Sequence, residues 1–207
     1  MPDTYNDVMQ IGTGGPTTAE KLFRATLTSV ALGGGSARVL ELGTRRWVAD
    51  FPTHHAAWAP HGVEWVKSDM QEGADVDVVA DAHDLAGTFR PIALAQNLAP
   101  FDAYVAVSVY EHLRRPWVAA RAAAEVLKPG GLAYVATHQT FPLHGFPQDY
   151  FRFSREGLAS IFEDAGFAVL SAGYAYPAAI QPGPEVVRWN PGAEAYLNVD
   201  LVARLPE

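Results

Sequence analysis

Short apolar runs rich in β-branched residues recur through this chain, at Val39–Leu42, Val63–Val66, Val76–Val79, Tyr104–Val109 and Leu132–Thr137. They lack strict polar–apolar alternation, which is the pattern of strands covered on both faces and therefore of a parallel sheet. Helical periodicity falls between and after them. Pro116 opens a helix on which Val118, Ala122 and Val126 share one face, and Lys128-Pro129-Gly130-Gly131 closes it. Ser154 caps another, with Leu158, Ile161, Phe162 and Ala165 as its buried stripe and Gly166 just past its end. Strand–helix alternation predicts an α/β fold: a doubly wound, mostly parallel sheet with helices on both faces. The last part of the chain breaks the rhythm. Phe167–Tyr174 and Ala195–Ala203 read as strands, but the Pro- and Gly-rich segment between them holds no helix, so they form an antiparallel C-terminal edge hairpin. Between the third and fourth strands, residues 84–101 leave room for a short helix over Ile92–Leu98.

The beginning of the chain is polar and glycine-rich. Thr17-Thr18-Ala19-Glu20 then has the form of a capping box, followed by Phe23, Leu27 and Val30 at helical spacing and a stop at Gly33-Gly34-Gly35. Residues 1–35 are thus an arm and a helix, and residues 36–207 an α/β core, within one domain of ordinary size. The chain has no cysteine, which excludes disulfides and Cys-ligated zinc. Lys and Arg total 15 against 23 Asp and Glu, a net charge of −8, and this disfavours nucleic acid as partner. No apolar run reaches the roughly 20 residues of a membrane span. The N-terminal residues lack a basic-then-apolar signal peptide, so the expectation is a cytoplasmic protein.

In open α/β sheets ligands lie beyond the carboxyl ends of the strands. Those positions here are Gly43-Thr44, Ser68-Asp69, Asp81-Ala82-His83, Tyr110-Glu111-His112 and His138-Gln139. The acids Glu41, Asp69 and Asp81, near successive strand ends, suit a ligand with ribose hydroxyls and an exocyclic amine, because a carboxylate accepts from both hydroxyls of a ribose. A dinucleotide fingerprint needs three glycines, G-x-G-x-x-G, where this chain reads Gly43-Thr44-Arg45-Arg46-Trp47-Val48. With only the first glycine present, NAD and FAD are disfavoured, and no P-loop occurs.

Taken together, Val39-Leu40-Glu41-Leu42-Gly43, Asp69, Asp81-Ala82, Phe101-Asp102-Ala103, Ser108-Val109-Tyr110-Glu111-His112-Leu113 and Val126-Leu127-Lys128-Pro129-Gly130-Gly131 resemble the class I S-adenosylmethionine-dependent methyltransferases, of the type 11-like kind. Asp149-Tyr150-Phe151-Arg152-Phe153-Ser154 and Gly166-Phe167 extend the resemblance. It implies S-adenosylmethionine as cofactor and S-adenosylhomocysteine as product. It also implies Glu41, Gly43 and the adjoining Thr44 against the methionine part, Asp69 at the ribose, Asp81 and Ala82 at the adenine, and Ser108 and Val109 along the other side. The chain departs from the family at Arg45, where a second glycine is usual, and in the 28 positions from Glu41 to Asp69.

Methyl transfer from a sulfonium is an in-line displacement in which alignment matters most, and an oxygen acceptor also needs a base. The segment after the fifth strand carries His138, His144 and Asp149, which we read as the catalytic group, with His138 as base and the others assisting. His112, Phe141 and Tyr150 are read as lining the acceptor site. The spacing His138-x5-His144-x4-Asp149 is unlike two ligands on one helical turn, so no metal is expected. The loop Thr44–Pro60, with Trp47, His54, His55 and Trp58, and His61 just beyond it, reads either as a lid over the acceptor or as packed surface. The expected function is methylation of a small molecule at oxygen. Two alternatives remain open: an inactive methyltransferase-like binding module, which Arg45 favours, and a methyltransferase acting on a macromolecule.

Overall fold

The computed structural model describes residues 15–33, 37–46, 58, 62–145, 148–181, 183 and 194–207. In chain order the elements are α1 (Thr18–Leu32), β1 (Ala37–Leu42), β2 (Val63–Asp69), β3 (Val78–Val79), α2 (Leu85–Gln96), β4 (Phe101–Val107), a 3-10 turn (Tyr110–His112), α3 (Pro116–Val126), β5 (Leu127–His138), α4 (Arg155–Asp164), β6 (Ala168–Ala178) and β7 (Ala195–Arg204). The strands form one seven-stranded sheet in the order β3-β2-β1-β4-β5-β7-β6. The first five are parallel, and β7 runs antiparallel to both β5 and β6. The expected antiparallel hairpin is present, but its second strand enters the sheet beside β5, leaving β6 at the edge.

Burial explains why β1 reads as one apolar run. Leu40 and Leu42 face a core shared with α2, α3 and α4, while Ala37 and Val39 face a second core beneath α1. The same division by alternate residues holds in β4, where Tyr104 and Ala106 go one way and Ala103 and Val105 the other. Helix α1 covers its face with Ala19, Phe23 and Leu27, four residues apart. Each such Phe or Leu contributes about 1.5–3 kcal/mol by leaving water. Thr17 caps α1 by accepting from the Glu20 amide, and Gly33 ends it. Val30, placed by its spacing on the buried stripe, is 43% exposed. The buried face of helix α3 is mostly alanine, at Ala119, Ala120, Ala122 and Ala123.

Two elements exceed their sequence expectation. Helix α2 starts at Leu85 instead of Ile92 and runs through Pro91. Asp84 caps it through the Gly87 amide, and Leu85, Ala86 and Phe89 bury against the core. That burial outweighs the backbone hydrogen bond Pro91 cannot make. Strand β5 begins at Leu127, so Lys128-Pro129-Gly130-Gly131 lies inside it as a register shift between the Phe101↔Leu127 and Ala103↔Leu132 pairs. Gly131 is required there: a Cβ would stand 2.8 Å from the Lys128 carbonyl oxygen. Lys128 Nζ then donates to Asp102 Oδ1 at 2.7 Å, and Asp102 Oδ2 accepts from the Arg38 amide at 2.8 Å, tying β5, β4 and β1 together.

Trp58 packs with Phe23 and Tyr134 on the α1 face, with ring centroids 6.1 and 5.3 Å away. It is packing for that core. Trp47, His54, His55 and His61, named with it as lid residues, lie outside the described residues. No helix among the described residues is long and apolar enough to cross a membrane.

Candidate active site at the carboxyl ends of β1, β4 and β5

The turn after β1 is held by backbone geometry. Gly43 has φ +77°, and its amide donates to the Ser68 carbonyl at 2.9 Å. Its missing side chain lets Val109 approach from the neighbouring β4 end: a Cβ at Gly43 would meet Val109 Cγ2 at 2.6 Å. Thr44 is 1% exposed, and its hydroxyl donates to the Asp75 carbonyl at 2.6 Å, so it fastens this turn to the β2–β3 loop. Glu41 is 3% exposed within β1. Arg45 does not adopt a positive φ, so the backbone at that point does not demand glycine. Its side chain runs outward against Gly73 and donates to Gln71 Oε1.

The two acids beyond Glu41 serve the loops around them. Asp69 accepts from the Arg45 amide at 3.2 Å and the Gln71 amide at 3.0 Å. Asp81 Oδ1 accepts from the His83 amide at 2.8 Å and lies 2.7 Å from His83 Nδ1. Partial burial pushes the Asp81 carboxyl up, but these contacts with His83 outweigh it and leave the group below its ordinary value. Asp81 and His83 border a cleft of about 560 Å³ with Arg114 and Arg115, and the neighbouring Ala82 is buried.

At the end of β4 the backbone is strained. Ser108 has φ +53°, a conformation costing a residue with a side chain about 1–2 kcal/mol. Its amide donates to the Ala136 carbonyl at 2.9 Å, which holds it against β5. Such strain concentrates at functional positions. The 3-10 turn that follows delivers Glu111, which is fully buried and which the sequence reading passed over in favour of His112.

Glu111 organises the surrounding side chains. Its Oε2 accepts from the Thr137 hydroxyl at 2.7 Å. The Nε2 atoms of His138, His112 and His144 lie 3.0, 3.7 and 4.0 Å from Oε1, which receives no aligned hydrogen bond. Burial pushes the Glu111 carboxyl up, yet His138 and the Thr137 hydroxyl outweigh it and leave the group below its ordinary value. The Glu111 carbonyl accepts from the Tyr150 amide at 2.8 Å, and the His138 carbonyl from the Phe153 amide at 2.9 Å. The loop after β5 is thereby pinned across the cluster.

The structure brings most of the predicted reactive residues together. His138 is 4% exposed, with Nδ1 3.0 Å from Asn198 Oδ1. Phe141 stacks on its ring at 4.1 Å and 10°. His144 packs edge-on against both, at 5.2 Å. Its Nδ1 lies 3.1 Å from the Pro142 carbonyl oxygen, and that of His112 lies 2.6 Å from the Gln148 carbonyl oxygen. Asp149 sits beside this group in a different capacity. Its carboxylate takes the Arg152 guanidinium through Oδ2 at 2.7 Å and the His144 amide at 3.0 Å. Arg152 therefore holds Asp149 far below the usual carboxylate range, and donates in turn to the Phe141 and Pro142 carbonyls, clamping the loop. Tyr150 is 44% exposed and its hydroxyl donates to Gln148 Oε1.

Comparison with known proteins agrees with this architecture. Residues 8–172 match the family model described as "Methyltransferase domain". A search of the curated proteins finds no match. Among solved structures, the chain is similar to the Burkholderia thailandensis 1,6-didemethyltoxoflavin-N1-methyltransferase, solved with that substrate and S-adenosylhomocysteine (16% identity, 99% of this chain and 84% of that one, TM-score 0.54). It is similar to a SAM-dependent methyltransferase from Archaeoglobus fulgidus (16%, 89% and 93%, TM-score 0.51). It is also similar to the [4+2]-cyclase SpnF (16%, 94% and 86%, TM-score 0.55). At these identities the structures establish the fold, which serves more than one chemistry. The family match spans most of the chain, and with the strand order and the glycine turn it supports one conclusion: this protein belongs to the methyltransferase-domain family, with the class I fold.

Proposed function

We propose that the chain transfers a methyl group from S-adenosylmethionine to a hydroxyl of a small molecule, and that the histidine cluster after β4 and β5 assists loss of the hydroxyl proton. The donor is S-adenosylmethionine. Its methionine part lies over the Gly43 turn beside Glu41 and Val109, with Asp69, Asp81 and Ala82 toward ribose and adenine and Ser108 near the transferring methyl. The acceptor lies by His112, His144 and Phe141, with Tyr150 at the rim. The observation that carries this reading is the buried Glu111 with histidine nitrogens converging on it, at the strand ends where this fold binds ligands. The burial of His138, with Nδ1 3.0 Å from Asn198 Oδ1 and Nε2 3.0 Å from Glu111 Oε1, favours a positioning role for it. His144, whose side chain is 12% exposed, is the group placed to meet an acceptor. Asp149 positions His144 through its amide.

A screen of small hydroxylated and amine compounds with methyl-labelled donor tests this. Label on hydroxyl acceptors, lost in His144→Ala, is the expected result; label only on amines, or full turnover by His144→Ala, refutes it. A second reading, a binding module without turnover, is favoured by one observation: the Arg45 amide already occupies Asp69 Oδ2, on the carboxylate assigned to ribose. It predicts no label on any acceptor from a stable, folded protein.

A further inference from the structure

We propose that Glu111, His138 and His144 form a binding site for one divalent transition-metal ion of the zinc class, with His112 beside it. This inference deepens the site assigned above. It stands on the geometry of the cluster and does not depend on which acceptor is methylated.

The ligating atoms of Glu111, His138 and His144 all lie within 4.8 Å of one another. Two ligands of one zinc-class ion, each about 2.0–2.2 Å from it, stand about 3.0 Å apart at a right angle and about 3.4 Å apart in a tetrahedron. The 3.0 Å separation of His138 Nε2 and Glu111 Oε1 already matches. His144 Nε2, at 4.0 Å from the same oxygen, needs a ring movement of under about 1 Å to match it.

Ring orientation is the second observation. His112 and His144 each turn Nδ1 toward a main-chain carbonyl oxygen, of Gln148 and Pro142. A carbonyl can only accept, so the ring proton sits on Nδ1, and in the neutral ring Nε2 presents a lone pair. Metal-binding histidines are held in this way, with the remote N–H on a carbonyl or carboxylate and the other nitrogen on the ion. The lone pairs here point at a carboxylate oxygen that is itself buried and receives no aligned hydrogen bond. Lone pairs converging on a carboxylate oxygen repel unless a proton or a cation lies among them. Two imidazoles and a carboxylate, in a chain without cysteine, give a nitrogen–oxygen donor set of the kind that binds Zn²⁺ and its divalent neighbours.

The sequence spacing concealed this site because its ligands come from different elements: Glu111 from the turn after β4, His138 from the end of β5 and His144 from the following loop. With an ion bound, the histidine nitrogens are ligands. The acceptor hydroxyl would then lose its proton to solvent on binding the ion, in place of direct transfer to His144.

The test uses tag-free full-length protein, stripped with chelator and dialysed against Zn²⁺ or Co²⁺. The expected result is one ion per chain with a dissociation constant in the micromolar range or below. Bound Co²⁺ should show a visible absorption band. His144→Ala should weaken binding at least tenfold while leaving S-adenosylhomocysteine affinity unchanged. Glu111→Gln should also weaken it; if that variant does not fold, His144→Ala decides alone. Substoichiometric binding, or unchanged metal affinity in His144→Ala, overturns the metal site. A protein that binds S-adenosylhomocysteine but no metal loses this inference and keeps the proposed function. One that binds metal but neither donor nor product keeps the inference and loses the function.

Discussion

Gly43→Ala is the substitution whose cost the structure defines most closely. It has two separable parts. At φ +77° the new side chain pays the penalty of the left-handed region, about 1–2 kcal/mol. The new Cβ also stands 2.6 Å from Val109 Cγ2, far inside the ordinary carbon–carbon contact, an overpacking that costs about 1–3 kcal/mol. Together they predict a loss of about 2–5 kcal/mol, or about 4–20 °C in Tm for a chain of this size. Val109→Ala removes the colliding methyl and leaves the φ penalty. In a double-mutant cycle followed by urea unfolding, the pair should therefore recover about 1–3 kcal/mol relative to the sum of the single changes. Additivity within about 0.5 kcal/mol would refute the close approach of the two strand ends. A Gly43→Ala protein as stable as the parent would refute the backbone argument as well.

Other consequences concern burial and the loop clamp. Burial raises the pKa of Asp200 against the hydrogen bonds it accepts from Thr17 and Tyr134, so its folded value exceeds the unfolded value of about 3.9. Its stability contribution is full below that value and is lost as pH rises through the folded one. The stability of Asp200→Asn relative to the parent should accordingly increase between pH 4 and pH 8 in urea titrations, and a decrease would contradict the assignment. Arg152→Ala should cost about 1–3 kcal/mol by releasing Asp149 and the carbonyls of Phe141 and Pro142. It should also speed hydrogen exchange across residues 139–153, and unchanged exchange there would show that other contacts hold the loop. Phe23→Ala, emptying a fully buried position between Trp58 and Tyr134, should cost about 3–5 kcal/mol, with cofactor affinity retained in the folded fraction; a cost below about 1 kcal/mol by urea unfolding would contradict the packing.

What the sequence disclosed, and what it hid, follows from range. β1 is legible because burial on both faces leaves a single apolar run, and α4 because Ser154 and Gly166 mark its ends locally. α2 begins earlier than its pattern suggests because Pro91 is a strong local breaker, while the compensating burial of Leu85 and Phe89 is tertiary. The place of β7 inside the sheet is a choice among strand orders that no local signal records, and it is what brings Asn198 to His138. The site divides in the same way. Gly43, His138 and His144 stood out by residue type and position. Glu111 did not, because its partners Thr137 and His138 become neighbours only through the parallel pairing of β4 with β5. Arg45 looked like a damaged cofactor turn, but its side chain lies against the β2–β3 loop and its backbone needs no glycine.

The proposed donor site takes in the strand ends around Gly43, Asp69, Asp81 and Ser108, despite the rebuilt turn. Titration calorimetry of the pure protein with S-adenosylhomocysteine measures this directly. One site per chain with micromolar affinity is expected, weakened at least tenfold by Gly43→Ala/Val109→Ala in the folded protein. No measurable heat with either S-adenosylhomocysteine or S-adenosylmethionine would contradict it.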